Sequence, residues 1–175
     1  GSVRTELTSK NDWTFTEGTE KWINYAMMPA NNMLFPKNHE RKFTVGQCHP
    51  KGHKITWMMT IQSANLVLNH EFSSFKNNNE WKPSSMEKRR TLKKFKVNEN
   101  YGTNEWTNIR INFKSSKKPD GKLKVWVDEK LVYDYEGPTN WGKKKHKGNY
   151  TNKCYFKFGI YSNANQKAEH KHLAE

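Results

Sequence analysis

The 175-residue sequence contains no apolar run approaching the ~20 residues of a membrane-spanning helix. Cysteine is nearly absent. Cys48 and Cys154 are too few for a disulfide framework, and no Cys-x-x-Cys pair offers metal-ligand spacing. Leu, Val and Ile are scarce, so the seven Trp, seven Tyr and nine Phe must build much of the core. Acidic residues are outnumbered, 17 against 31 Lys+Arg, which leaves a formal net charge of +14. Such an excess concerns partners rather than fold, and it favours an anionic polymer: nucleic acid, an acidic membrane surface or an acidic polysaccharide. Internal repeats and long amphipathic helical patterns are also missing. Gly1 and Ser2 read as the remnant of a cleaved tag, and residues 3–175 as one domain.

What is present is strand-like almost throughout. Between Asn108 and Lys114, Ile109, Ile111 and Phe113 alternate with polar residues, the mark of a half-buried strand. Lys117-Lys118-Pro119-Asp120-Gly121 follows, with Pro and Asp-Gly signalling a hairpin. The alternation resumes at Lys122 with Leu123, Val125 and Val127 on one side. Asp128-Glu129-Lys130 then turns the chain into Leu131–Tyr135. Upstream, Lys54–Gln62 and Leu66–Phe72 form a second predicted hairpin. Trp22–Met28, Lys42–His49 and Leu92–Val97 are further strands, and Pro29–Glu40, Ser73–Arg90 and Glu136–Asn152 are loops. Many short strands separated by turn signals predict an all-β sandwich or barrel.

Three segments carry reactive side chains at strand spacing: Arg4-Thr5-Glu6-Leu7, Gln47-Cys48-His49, and Tyr155-Phe156-Lys157-Phe158-Gly159-Ile160-Tyr161. Residues two apart on a strand share a face. Gln47 therefore points with His49, and Cys48 points away. Tyr155, Lys157, Gly159 and Tyr161 share one face, while Cys154, Phe156, Phe158 and Ile160 form the apolar, core-facing side.

In this order, with the Asp-Gly hairpin between the second and third, the segments resemble the signature of jelly-roll polysaccharide lyases: R-[ST]-E-L, Q-x-H and Y-F-K-x-G-x-Y. The stretch from Lys122 to Pro138 and the ending Lys157–Tyr161 are similar to the glucuronan and heparin lyase I group, and the trio to alginate lyases. The resemblance implies a β-jelly-roll of two mostly antiparallel sheets with a concave substrate groove. It also implies cleavage of a uronate-containing glycan by β-elimination, without metal or organic cofactor. Arg4 and Gln47 would neutralise the uronate carboxylate with His49 beside them, and Tyr161 would protonate the leaving oxygen. Tyr161 could also take the C5 proton in a syn elimination, and His49 in an anti one. Lys157, Tyr155 and Glu6 would contact substrate. The family also implies secretion, with the leader outside this sequence, and an anionic polysaccharide as partner. A monomer is expected, engaging neither nucleic acid nor membrane.

Each residue also has a plainer reading. Arg4 and Glu6 could form a surface ion pair, Gln47 lie on a solvated face, His49 be structural, and Tyr161 be a packing partner. The basic run Lys143–Lys147 could be a solvated loop or a lip over an anionic groove. His49 and His53 have a helical ligand spacing, but Pro50 and Gly52 exclude that helix. His170 and His172 have no third ligand of evident spacing. Two rival functions remain: a non-catalytic carbohydrate-binding jelly roll, and a nucleic-acid-binding β-domain. Strand parity also predicts that Cys48 and Cys154 face the core. They are expected to be unbonded, because a register bringing His49 beside Tyr161 sets Cys154 near Thr56, roughly 25 Å from Cys48.

Overall fold

The computed structural model describes residues 3–8, 14–28, 42–50, 55–62, 65–71, 90–95, 105–116, 118–139 and 153–162. Among them there is no helix, and every regular element is a strand. The strands are β1 (Val3–Thr8), β2 (Thr14–Thr16), β3 (Glu20–Met27), β4 (Lys42–Pro50), β5 (Trp57–Gln62) and β6 (Asn65–Glu71). They continue as β7 (Arg90–Phe95), β8 (Thr107–Lys114), β9 (Lys122–Val127), β10 (Lys130–Glu136) and β11 (Lys153–Ser162). All pairings are antiparallel.

The strands form two sheets. One is seven-stranded in the order β1-β11-β4-β5-β6-β7, with β2 also pairing β11; the other is β10-β9-β8-β3. β1 pairs residues 157–162 of β11 and β2 pairs residues 153–155, so the two lie in line along one flank of β11. The expected all-β sandwich is what the chain forms.

The core lies between the sheets and is set by alternation. In β9, Leu123, Val125 and Val127 are buried while Lys122, Lys124 and Trp126 face outward. β8 contributes Ile109, Ile111 and Phe113. The aromatic load does the packing that few aliphatics could. Phe113 meets Phe15 edge-on at 5.0 Å and Trp57 at 6.1 Å, and Trp57 lies 5.8 Å from Phe156. Each such fully buried side chain is worth about 1.5–3 kcal/mol in transfer terms.

Across the β6–β10 end of the core, His70 is fully buried and hydrogen-bonded through Nδ1 to the Tyr133 hydroxyl at 3.0 Å. The Tyr135 ring stands edge-on to the imidazole at 4.7 Å, and its hydroxyl donates to the Pro138 carbonyl at 3.1 Å. Burial lowers the His70 pKa to about 3 and pushes that of Tyr133 up to about 12. The imidazole is therefore neutral at physiological pH.

The hairpin signal at Asp120-Gly121 sits between β8 and β9. Asp120 accepts hydrogen bonds from Lys114 Nζ at 2.8 Å and Ser116 Oγ at 2.6 Å, holding its carboxyl down at about 2. The turn between β9 and β10 places Asp128 and Glu129 at φ 46° and 66°. This left-handed pair is the geometry of a two-residue primed turn.

Two sequence expectations need correction. Cys48 and Cys154 do face the core, 0% and 1% exposed, but they are joined in a disulfide with their Cα atoms 5.6 Å apart. The β4–β11 register sets Cys154 opposite Pro50 and Phe156 opposite Cys48, not Cys154 near Thr56. The alternation of each strand was sound, but the assumed slide of one along the other was not. Phe158 is the second correction. It is 42% exposed, although its ring stacks on buried Phe156 at 5.9 Å. Opposite it in β1, Leu7 is 65% exposed. The seven-stranded sheet is the wider one, and this flank is not buried like the core beside it.

Candidate functional site

β4 and β11 are hydrogen-bonded neighbours, and their register assembles the first part of the site. Gln47 lies opposite Lys157, and His49 opposite Tyr155. The His49 and Tyr155 ring centroids are 5.9 Å apart, and Lys157 Nζ sits 5.1 Å from the Tyr155 centroid. Cys48 and Phe156, the intervening residues, are in the core between the sheets. The four polar side chains therefore project from the opposite face of the seven-stranded sheet. Gln47 and Lys157 are only 4% and 7% exposed there, so this is no ordinary solvated strand face. A cation held above a phenol ring gains cation–π attraction, most strongly where water is excluded.

The second part lies further along the same strands. Arg4 of β1 pairs with Tyr161 of β11, and Tyr161 pairs in turn with Thr44 of β4. Glu6 pairs with Gly159. The side chains of Arg4, Glu6 and Tyr161 lie outside the described residues. The register does not set Tyr161 opposite His49, as the sequence reading assumed; Tyr155 occupies that position.

Both strands are irregular between the two parts. The β4–β5 register shifts between Thr44 and Gly46, and the β11–β4 register between Phe158 and Tyr161. Thr44 and Gln47 are three residues apart, a spacing that a regular strand turns to opposite faces. The extra residue, Val45, puts both on one face: Thr44 Oγ1 donates to Met58 Sδ at 3.3 Å, and Met58 is the partner of Gln47. Gly46, on the core side of the strand, leaves room for the Tyr25 ring of the facing sheet. A Cβ there would lie 2.8 Å from the Tyr25 hydroxyl.

The sequence reading missed the continuation of this face on β5 and β6. Thr60 pairs with Thr44 and is 1% exposed, donating to the Val67 carbonyl at 3.3 Å and accepting a 3.5 Å bond from Asn69 Nδ2. Thr44 is 5% exposed. The signal was available, since Met58-Met59-Thr60-Ile61 and Val67-Leu68-Asn69 alternate between core and this face. Without a register, nothing connected those polar positions to Gln47.

The arrangement offers amide and hydroxyl donors, a cation, an imidazole and a phenol on one sheet face. That set can bind an anionic group, hold a developing negative charge and exchange protons. Among the described residues, no group of three or more His, Cys, Asp or Glu could hold a metal ion, and no helix is long and apolar enough to cross a membrane.

Comparison with known proteins supplies the context. A family model described as polysaccharide lyase matches residues 1–173. No curated protein matches the chain by sequence. Among solved structures, an endo-β-1,4-glucuronan lyase from the fungus Trichoderma reesei superposes with a TM-score of 0.66 at 15% identity, covering 94% of this chain and 65% of that one. Alginate lyase A1-II′ superposes with a TM-score of 0.50 at 15% identity, over 90% of this chain and 61% of that one. The chain thus spans slightly less than two-thirds of either structure, and at this identity the likeness is one of fold.

Proposed function

Since this chain belongs to the polysaccharide lyase family, we propose that it cleaves an acidic, uronate-containing glycan by β-elimination on the outer face of its seven-stranded sheet. The observation that carries the reading is the side-by-side pairing of Gln47 with Lys157 and His49 with Tyr155 on that face. Elimination removes the C5 proton of a uronate and expels the C4 oxygen. The proton becomes acidic enough only when the adjacent carboxylate is neutralised and the enolate is met by preorganised donors. Gln47 and Arg4 are assigned that task, with His49 beside them. Tyr161 delivers the proton to the departing oxygen. The C5 proton goes to Tyr161 in a syn elimination and to neutral His49 in an anti one. Lys157 holds a glycan carboxylate, and Tyr155 and Glu6 line the path of the chain. The net charge of +14 suits a polyanion. Such a substrate fits an extracellular, monomeric enzyme.

One observation favours a second assignment of the acid. Tyr155, not Tyr161, faces His49 across the ladder, and it carries the Lys157 ammonium over its ring. In this variant Tyr155 is the proton donor and Tyr161 positions the sugar.

The test of the activity is incubation with a panel of purified polyuronates, following unsaturated-uronate absorbance and product size. New chromophore with shortened chains is the expected result. Affinity without chromophore would instead identify a non-catalytic binding module.

A further inference from the structure

The outer face of the four-stranded sheet, on the far side of the sandwich from the proposed active face, carries an aromatic cluster. Trp22 of β3 and Trp126 of β9 are separated by β8, yet their rings approach to 5.3 Å over it. The Arg110 guanidinium of β8 lies 4.9 Å from the Trp126 ring and 5.8 Å from that of Trp22. Trp22 is 54% exposed. Holding an indole in water sacrifices burial that a core position would supply.

Beside the cluster is a hollow of about 370 Å³, lined by Asn24, Ala26, Asn108, Arg110, Trp126 and Glu129. This is at the small end of ligand-sized clefts, about 300–1,000 Å³. Its origin is legible in the register. Asn24 pairs with Arg110, Arg110 with Trp126, and Ala26 with Asn108. Short side chains at Ala26 and Asn108 make the floor, while Trp126 and Arg110 make a wall. Glu129 comes in from the β9–β10 turn at φ 66°, a conformation that Gly or Asn adopts at lower cost. Asp128 offsets part of that cost by accepting a 2.8 Å bond from the Asn108 backbone N–H. Glu129 is thereby held at the hollow.

We propose that this hollow is a non-catalytic glycan-binding site that takes a pyranose ring of a polysaccharide chain. The apolar face of the sugar stacks on Trp126, and its hydroxyls bond the amides of Asn24 and Asn108 and the Glu129 carboxylate. An indole bordered by amides and a carboxylate matches a sugar, which has an apolar face and a hydroxyl edge. Arg110 and Glu129 bear opposite charges, so the hollow selects by hydroxyl geometry and stacking rather than by net charge. That the bound chain is the enzyme's own substrate rests on the function proposed above; the site itself does not.

The probe is native electrophoresis of the full chain through gels containing glucuronan or alginate, alongside turnover of a short oligouronide. Trp126→Ala removes the stacking surface, and Ala26→Leu fills the floor from an exposed strand position that tolerates a larger apolar residue. Both variants are expected to lose about tenfold in polymer affinity, the order of one lost stacking contact, while turning over the short oligomer like wild type. That result supports the site, and so does loss of retention in both variants when the wild type forms no product on any polyuronate, an outcome that sinks only the lyase reading. Unchanged retention in Ala26→Leu, with the fold intact by circular dichroism, overturns it.

Discussion

Tyr155 lies directly across the β4–β11 ladder from His49, with their rings 5.9 Å apart, while Tyr161 stands further along the same strand opposite Thr44. Two phenols on one strand can therefore be tested against each other. Tyr161→Phe deletes one oxygen and keeps the ring. As the general acid, its loss should lower kcat about 10²–10⁴-fold with KM little changed. Tyr155→Phe should be milder and act mainly through KM. Near-normal kcat in Tyr161→Phe with a large loss in Tyr155→Phe reverses the assignment.

Lys157 and the surplus of basic residues should make polymer binding salt-sensitive. Apparent affinity is expected to drop steeply as ionic strength rises and the screening length falls from about 10 Å at 0.1 M to about 3 Å at 1 M. Lys157→Ala should weaken binding and rate together, because a charge contact acts on ground and transition states alike. Affinity that barely responds to salt would identify a neutral glycan.

The disulfide spans 106 residues of sequence. Closing so long a loop restricts the unfolded chain, so the double variant Cys48→Ala, Cys154→Ala should lose about 2–4 kcal/mol. Thermal unfolding with and without reductant measures this. Equal melting temperatures would exclude a stabilising bridge.

His70 predicts acid sensitivity with a definite sign. Its pKa is about 3 in the fold against 6.5 for the free side chain. Between those values the unfolded chain binds a proton that the folded chain refuses. The stability term is therefore complete above pH 6.5 and declines as pH falls towards 3, by up to about 1.4 kcal/mol per pH unit. Unfolding by urea at pH 7.5, 5.5 and 4.5 should show the decline, and His70→Gln should flatten it. An identical decline in both proteins assigns the effect to other groups.

The sequence made strand identity and face legible where alternation was clean. Ile109, Ile111 and Phe113, or Leu123, Val125 and Val127, could be read directly because burial on one side of a pleat leaves a period of two. Gln47, His49, Tyr155 and Lys157 were likewise assigned to one face from parity alone. Register was not legible. The pairing of Tyr155 with His49, and hence the bridge between Cys48 and Cys154, depends on how far one strand slides along the next. Any slide by an even number of residues preserves every face. Phe158 was misread for a different reason. Its parity is that of Phe156, but its burial depends on how far the opposite sheet extends, which no local pattern encodes. The buried set of His70, Tyr133 and Tyr135 unites residues distant in sequence, without a shared motif.

The irregularity at Val45 divides β4 into two stretches that are out of phase with each other. Thr44 lies in one phase, and Gln47 and His49 in the other; the extra residue alone lets all of them serve the same face. Removing that one residue would invert the facing of one stretch relative to the other, moving either Thr44 or the pair Gln47 and His49 towards the core. A substitution at Val45 leaves the phasing intact. This position should thus accept changes of side chain far more readily than changes of length, as a spacer does.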